Sequence, residues 1–158
     1  MLTLLLAQDG CTALMLACQN KHEAAAAELM EATKRAGALD LQGRQYKRSA
    51  LHVASDKGLA DTVAKVLALG ADAALTDKKG KTCLHCAAEQ GHRHVLRVLL
   101  DNGAEVAAKD ENGCTALMLA CLNQHEAAAA ELMEATKRAG ALDLQVGHEA
   151  RVLRACVV

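Results

Sequence analysis

The 158-residue chain has no proline, phenylalanine or tryptophan, and a single tyrosine, Tyr46. Without bulky aromatics its core has to be built from Ala, Leu, Val, Met and Cys. Such small side chains suit closely spaced helices better than one thick globular core. The aromatic stacking platforms of single-strand nucleic-acid binders are absent. A charge imbalance is absent too: a net charge of −1 argues against holding nucleic acid by overall charge. The opening "MLTLLLAQDG" has no basic segment before its apolar residues. It is also too short for a secretory h-region or a membrane span, so no membrane role is expected. Seven cysteines in that context point to a reducing compartment, cytosol or nucleus. A hydrophobic content of 52% argues against disorder, and the length fits one domain, 1–158.

What the chain does have is repetition. Residues 9–42 read "DGCTALMLACQNKHEAAAAELMEATKRAGALDLQ", and residues 112–145 repeat them with three changes, Asp9/Asn112, Gln19/Leu122 and Lys21/Gln124. A shorter echo fills the space between. "TALMLA" at Thr12 returns as "SALHVA" at Ser49, "TCLHCA" at Thr82 and "TALMLA" at Thr115. Each is followed by a landmark glycine, Gly37, Gly70, Gly103 and Gly140. The interval from glycine to the next Thr or Ser is constant. The interval from Thr or Ser to glycine is four residues longer in the first and last units than in the middle two. Four residues are about one α-helical turn. Each unit therefore reads as helix A, about Ala13–Asn20 in the first, then a turn, helix B and a glycine. Helix B is predicted to be one turn longer in the outer units. The Thr or Ser stands where an N-cap is wanted, and the glycine fits a left-handed helix end.

The pattern resembles the ankyrin repeat. The third unit, "DKKGKTCLHCAAEQGHRHVLRVLLDNGAEV" from Asp77 to Val106, carries that family's frame almost unbroken. The resemblance implies an all-α solenoid of helix–turn–helix units joined by β-turn fingers. The repeats fall at about 9–42, 43–76, 77–109 and 110–145, with a partial repeat at 1–8 and a partial or capping segment at 146–158. Neither end offers the polar outer face of a capping repeat, so a monomer or a part of a longer array is expected. The chain departs from the family in lacking the proline after the Thr. It also has Met15 and Met118 in place of the usual histidine, and Ala74 and Ala107 in place of an asparagine.

Several motifs invite sharper chemistry. Cys83, His85, Cys86, His92 and His94 hold metal-ligating atoms, but a structural zinc site needs a second ligand pair at a set distance. The frame already uses His85 and His92, so no metal or other cofactor is expected. A thiol-redox or cysteine-protease reading lacks its context, and the thiols recur at matching positions (Cys11/Cys114, Cys18/Cys121), as packing residues would. "HEAAAAELMEATKRAG" reads as a long helix B whose thin stripe Ala26, Leu29, Met30 and Thr33 faces the stack. Glu31 is placed to pair with Lys34 and Arg35.

The informative feature is charge on the fingers. Arg44, Lys47 and Arg48, with Tyr46, and then Lys78, Lys79 and Lys81, are expected side by side at two neighbouring tips. The tips "AQDGCT" and "DENGCT" are neutral to acidic. The family places a concave groove at the end of each helix A, here Gln19, Asn20, Asp56, Lys57, Glu89, Gln90, Leu122 and Asn123. The resemblance thus implies a non-catalytic module that binds another protein, one with an acidic patch, through fingers and groove. The competing expectation is a structural spacer or duplicated scaffold with no partner, because 31 of 34 residues agree between the copies. No constellation for catalysis contradicts either.

Overall fold

The computed structural model describes residues 10–140. Its elements are α1 (Ala13–Gln19), α2 (Glu23–Arg35), α3 (Ala50–Lys57), α4 (Ala60–Ala68), α5 (Cys83–Glu89), α6 (Arg93–Asp101), α7 (Ala116–Leu122) and α8 (Glu126–Arg138), with no strand among the described residues. Each short helix packs antiparallel on the one that follows. The pairs then stack, with α1, α3, α5 and α7 forming one layer and α2, α4, α6 and α8 the other. The predicted all-α repeat architecture is what forms.

The caps follow the sequence. The hydroxyls of Thr12, Ser49 and Thr115 accept from the amides of Met15, His52 and Met118, and Thr82 occupies the same place before α5. Helix B ends two residues before each landmark glycine, with one cap residue between. Gly37 illustrates why: its φ is +65°, its amide bonds Lys34 O at 2.9 Å, and Ala38 N bonds Thr33 O at 3.0 Å. That arrangement satisfies two helix-end carbonyls and needs a left-handed residue. The four extra residues lie inside the helix, since α2 and α8 have 13 residues and α4 and α6 have 9.

Small residues set the spacing. Leu14, Leu51, Leu84 and Leu117 form one buried column through the short helices, and Ala17, Ala54, Ala87 and Ala120 form another. A buried leucine contributes about 1.5–3 kcal/mol over an exposed one. The alanines let the layers approach closely, and no aromatic ring is needed. In α2 the expected stripe is present: Ala26, Met30 and Thr33 are buried and Leu29 is half-buried. The identical helix α8 buries a shifted stripe: Ala128, Leu132 and Thr136, the copies of Ala25, Leu29 and Thr33, are buried, while the copies of Ala26 and Met30 are half-buried. The reason is position. α2 has its neighbour α4 on one side, whereas α8 has α6 on the other. The Glu31 pairs do not form in α2; the copy in α8 places Glu134 3.7 Å from Arg138.

Two histidine links join successive pairs. His52 and His85 each take an N–H from their own cap residue on Nδ1, Ser49 N at 3.3 Å and Thr82 N at 3.2 Å. Nε2 therefore carries the proton, and it donates to the next finger, at Lys81 O (3.1 Å) and Cys114 O (3.0 Å). Burial lowers the pKa of both rings, which keeps that tautomer neutral. Further along, His92 and His125 reach back to Asp56 O and Glu89 O, both at 3.0 Å. Each packs on a glycine of the preceding pair, Gly58 or Gly91, where an added Cβ would stand within 2.8 or 2.6 Å of the ring. Neither link joins the first pair to the second, because Met15 replaces the first histidine and the Lys21/Leu59 combination replaces the glycine and the second.

Candidate interaction surface

The fingers are built from their own backbone. Asp77 N bonds Lys81 O at 2.9 Å, and the Asp77 carboxylate accepts from the amides of Lys79 (2.8 Å) and Lys81 (3.0 Å). Asp110 does the same for Asn112 and Cys114, both at 2.9 Å. These self-capped turns place Gly80 and Gly113 in the left-handed region, whereas the second finger uses Lys47 there, at φ +50°. Successive fingers are tied edge to edge by Lys78 N to Tyr46 O (2.9 Å) and Glu111 N to Lys79 O (3.1 Å). The tips therefore lie side by side, as the sequence suggests.

Charge on them is less free than the sequence implies. Arg44, Lys47, Lys78 and Lys79 are exposed, but Lys81 is only 8% exposed. Its Nζ lies 2.8 Å from both carboxylate oxygens of Glu89. Burial alone would lower the Lys81 pKa, but the hydrogen bond and charge of Glu89 outweigh it and the net shift is upward. Arg48 sits between Asp56 (3.6 Å) and Asp77 (3.7 Å), and Lys57 lies 3.5 Å from Asp56. The expectation of six solvated tip cations is corrected to four. Arg48 and Lys81 fold back onto the ends of α3 and α5 because those helix ends supply carboxylates.

The same folding-back joins fingers to groove. Tyr46, Arg48, Lys78, Lys79 and Lys81 line one concave space of about 640 Å³ together with Asp56, Glu89 and Gln90. Asp77 and Glu111 complete its lining. A smaller recess of about 210 Å³ continues from it, where Gln19 and Lys57 meet Tyr46, Arg48 and Asp56. Tyr46, 59% exposed, borders both. Arg44 and Lys47 line neither space. Asn20 and Asn123 bond the helix carbonyls of Leu16 and Leu119, and Leu122 stands 60% exposed beyond the strip. Sequence reasoning overlooked Glu111 and Asp77. Glu111 holds the register of Lys78 one finger on, so aligning the fingers would have found it.

Of the residues that suggested metal, His85 and His92 bond backbone carbonyls, the two cysteines are buried and His94 stands exposed. Cys83 and Cys86 are fully buried, burial pushes both thiols up to about 12, and Cys83 Sγ donates to Ala73 O at 3.3 Å. Among the described residues no group of three or more His, Cys, Asp or Glu side chains is placed to hold a metal ion. None of the described helices is long and apolar enough to cross a membrane.

A family model for ankyrin repeats in three copies matches residues 2–77 and again 51–143. The chain belongs to the ankyrin-repeat family. The cap-histidine links and self-capped fingers above are thus the working parts of an ankyrin stack. Ankyrin repeats are in general protein–protein interaction modules, and the family is typically non-enzymatic. No curated protein matches the chain.

Proposed function

We propose that this ankyrin array binds another protein along the strip from Gln19 to Gln90, with Lys78 and Lys79 attracting acidic groups to its edge. One observation carries the reading. The helix-end carboxylates Asp56 and Glu89 and the finger carboxylate Asp77 are occupied by Arg48 and Lys81. Lys78 and Lys79 stand exposed and unpaired above the same groove as Tyr46. Tyr46 gives the groove an aromatic contact of the kind that concentrates binding energy at interfaces, and Lys78 and Lys79 put charge at its rim, where it steers encounter. Catalysis plays no part. The thiols of Cys11, Cys18, Cys83, Cys86 and Cys114 are free, which suits a partner in the cytosol or nucleus.

The test is affinity capture with the whole chain and its Lys78→Glu/Lys79→Glu variant side by side, with bound proteins identified by mass spectrometry. A protein retained by the first and lost by the second supports the reading. Equal recovery of every protein contradicts it. A second reading, a spacer with no partner, is favoured by the near-identity of the outer pairs, and recovery of nothing by either chain would select it.

A further inference from the structure

The strip is not uniform along its length. His52 and His85 cross the two later junctions, each donating from Nε2 to a carbonyl of the next finger. Met15 holds the matching position in α1 and sends no ring across. The recess of about 210 Å³ opens at this first junction. Its lining is apolar and sulfur-bearing at depth, with Met15 buried and Cys11 and Val53 half-buried. Tyr46 supplies an aromatic wall and stands 59% exposed. The cations that reach the recess, Arg48 and Lys57, are already paired with Asp56 at 3.6 and 3.5 Å. The recess itself therefore offers shape and apolar contact rather than free charge.

Size and chemistry name what fits. A cavity of roughly 150 Å³ holds a benzene ring, so the recess has room for one aromatic side chain and little more. Thioether and thiol sulfur make favourable contacts with aromatic rings, and Tyr46 offers a second ring to pack against. The free cations begin one finger on, where Lys78 and Lys79 stand exposed over the larger space that Tyr46 also borders. Packed helices lie about 8–10 Å apart, a step that an extended segment covers in about three residues.

We infer that the strip takes an extended acidic segment of the partner, with one aromatic side chain seated in the recess and carboxylates about three residues away on Lys78 and Lys79. The inference rests on the binding role proposed above and names what that partner presents. A second copy of this chain does not qualify. Its one aromatic residue is Tyr46, which Arg44, Lys47 and Arg48 surround in sequence. Docking it would set cations against cations.

The test pans a displayed library of short random peptides against the whole chain, with Tyr46→Ala and Lys78→Glu/Lys79→Glu panned in parallel. Tyr46 is exposed at a finger tip, so its truncation should leave the stack intact, which circular dichroism checks. The expected result is enrichment of peptides that carry Phe, Tyr or Trp about three residues from Asp or Glu. Their recovery should fall about tenfold or more on each variant. The chain has no tryptophan, so the emission of a Trp-bearing peptide reports the peptide alone. A shift to shorter wavelength on binding the parent chain is expected. Acidic peptides without an aromatic, lost on the lysine variant but kept on Tyr46→Ala, would overturn this inference and leave the binding role standing. Aromatic peptides indifferent to Tyr46→Ala would overturn it as well. So would no enrichment on any chain, whereas a folded protein captured through Lys78 and Lys79 would still support the binding role.

Discussion

At the scale of single residues, backbone conformation and charge pairing decide what each position can bear. Lys21 (φ +57°) and Gln124 (φ +60°) occupy the turn position that Gly58 and Gly91 fill in the middle pairs. A non-glycine residue there costs about 1–2 kcal/mol. Lys21→Gly and Gln124→Gly are each expected to raise the unfolding free energy by about 1 kcal/mol, read from urea titrations at unchanged m-value. The two classes of finger lysine should behave oppositely. Lys81→Glu places a carboxylate against Glu89 in a nearly buried position and should cost several kcal/mol. Lys78→Glu and Lys79→Glu should stay within about 0.5 kcal/mol of the parent. Equal losses at all three positions would show that Lys81 is not paired. The buried histidines set the acid limit. The folded pKa values of His52 and His85 lie below the ordinary 6.5, so between those values and 6.5 the unfolded chain binds more protons. Their contribution is complete above pH 6.5 and is lost as pH falls from there through the lowered folded values. A stability profile flat from pH 7 to 5 would contradict this.

At the scale of elements, the caps, the landmark glycines and the extra turn of α2 and α8 were legible because each is a local matter of a few neighbouring residues. The retraction of Arg48 and Lys81 was not. It depends on carboxylates at the ends of α3 and α5 that come close only when finger and helix fold together, and in sequence Lys81 reads like its exposed neighbours. Nor could sequence tell that α2 and α8, identical over all 13 residues, bury stripes shifted from one another, since that is decided by which side carries the neighbouring helix. The unequal histidine links have a consequence for local stability. The fourth pair is tied to the third by His125 and by Glu131 with two arginines, whereas the first meets the second without either histidine link. In a stacked array the weakest junction opens first. Amide hydrogens of α2 should therefore exchange faster than those of α8. The peptides followed need to extend across Lys21 or Gln124 to be told apart. Slower exchange in α2 would mean that apolar contact, rather than these polar links, governs the junctions.

At the scale of the whole molecule, a nearly neutral chain concentrates four solvated cations on two adjacent fingers and places two of them, Lys78 and Lys79, over a groove of about 640 Å³. A local field of this kind acts on encounter more than on the finished contact. Close contacts in the groove should act on dissociation instead, and Gln90 is the place to see it, because Glu89 is committed to Lys81. The most direct measurement is the association rate of a captured partner with the immobilised chain and with Lys78→Glu/Lys79→Glu, at 0.1 M and 1 M salt. Over that range the screening length falls from about 10 Å to about 3 Å. The expected result is slower association for the variant at 0.1 M, with the two rates converging at 1 M. Equal association rates at 0.1 M would contradict the account and leave the finger edge as solvated charge.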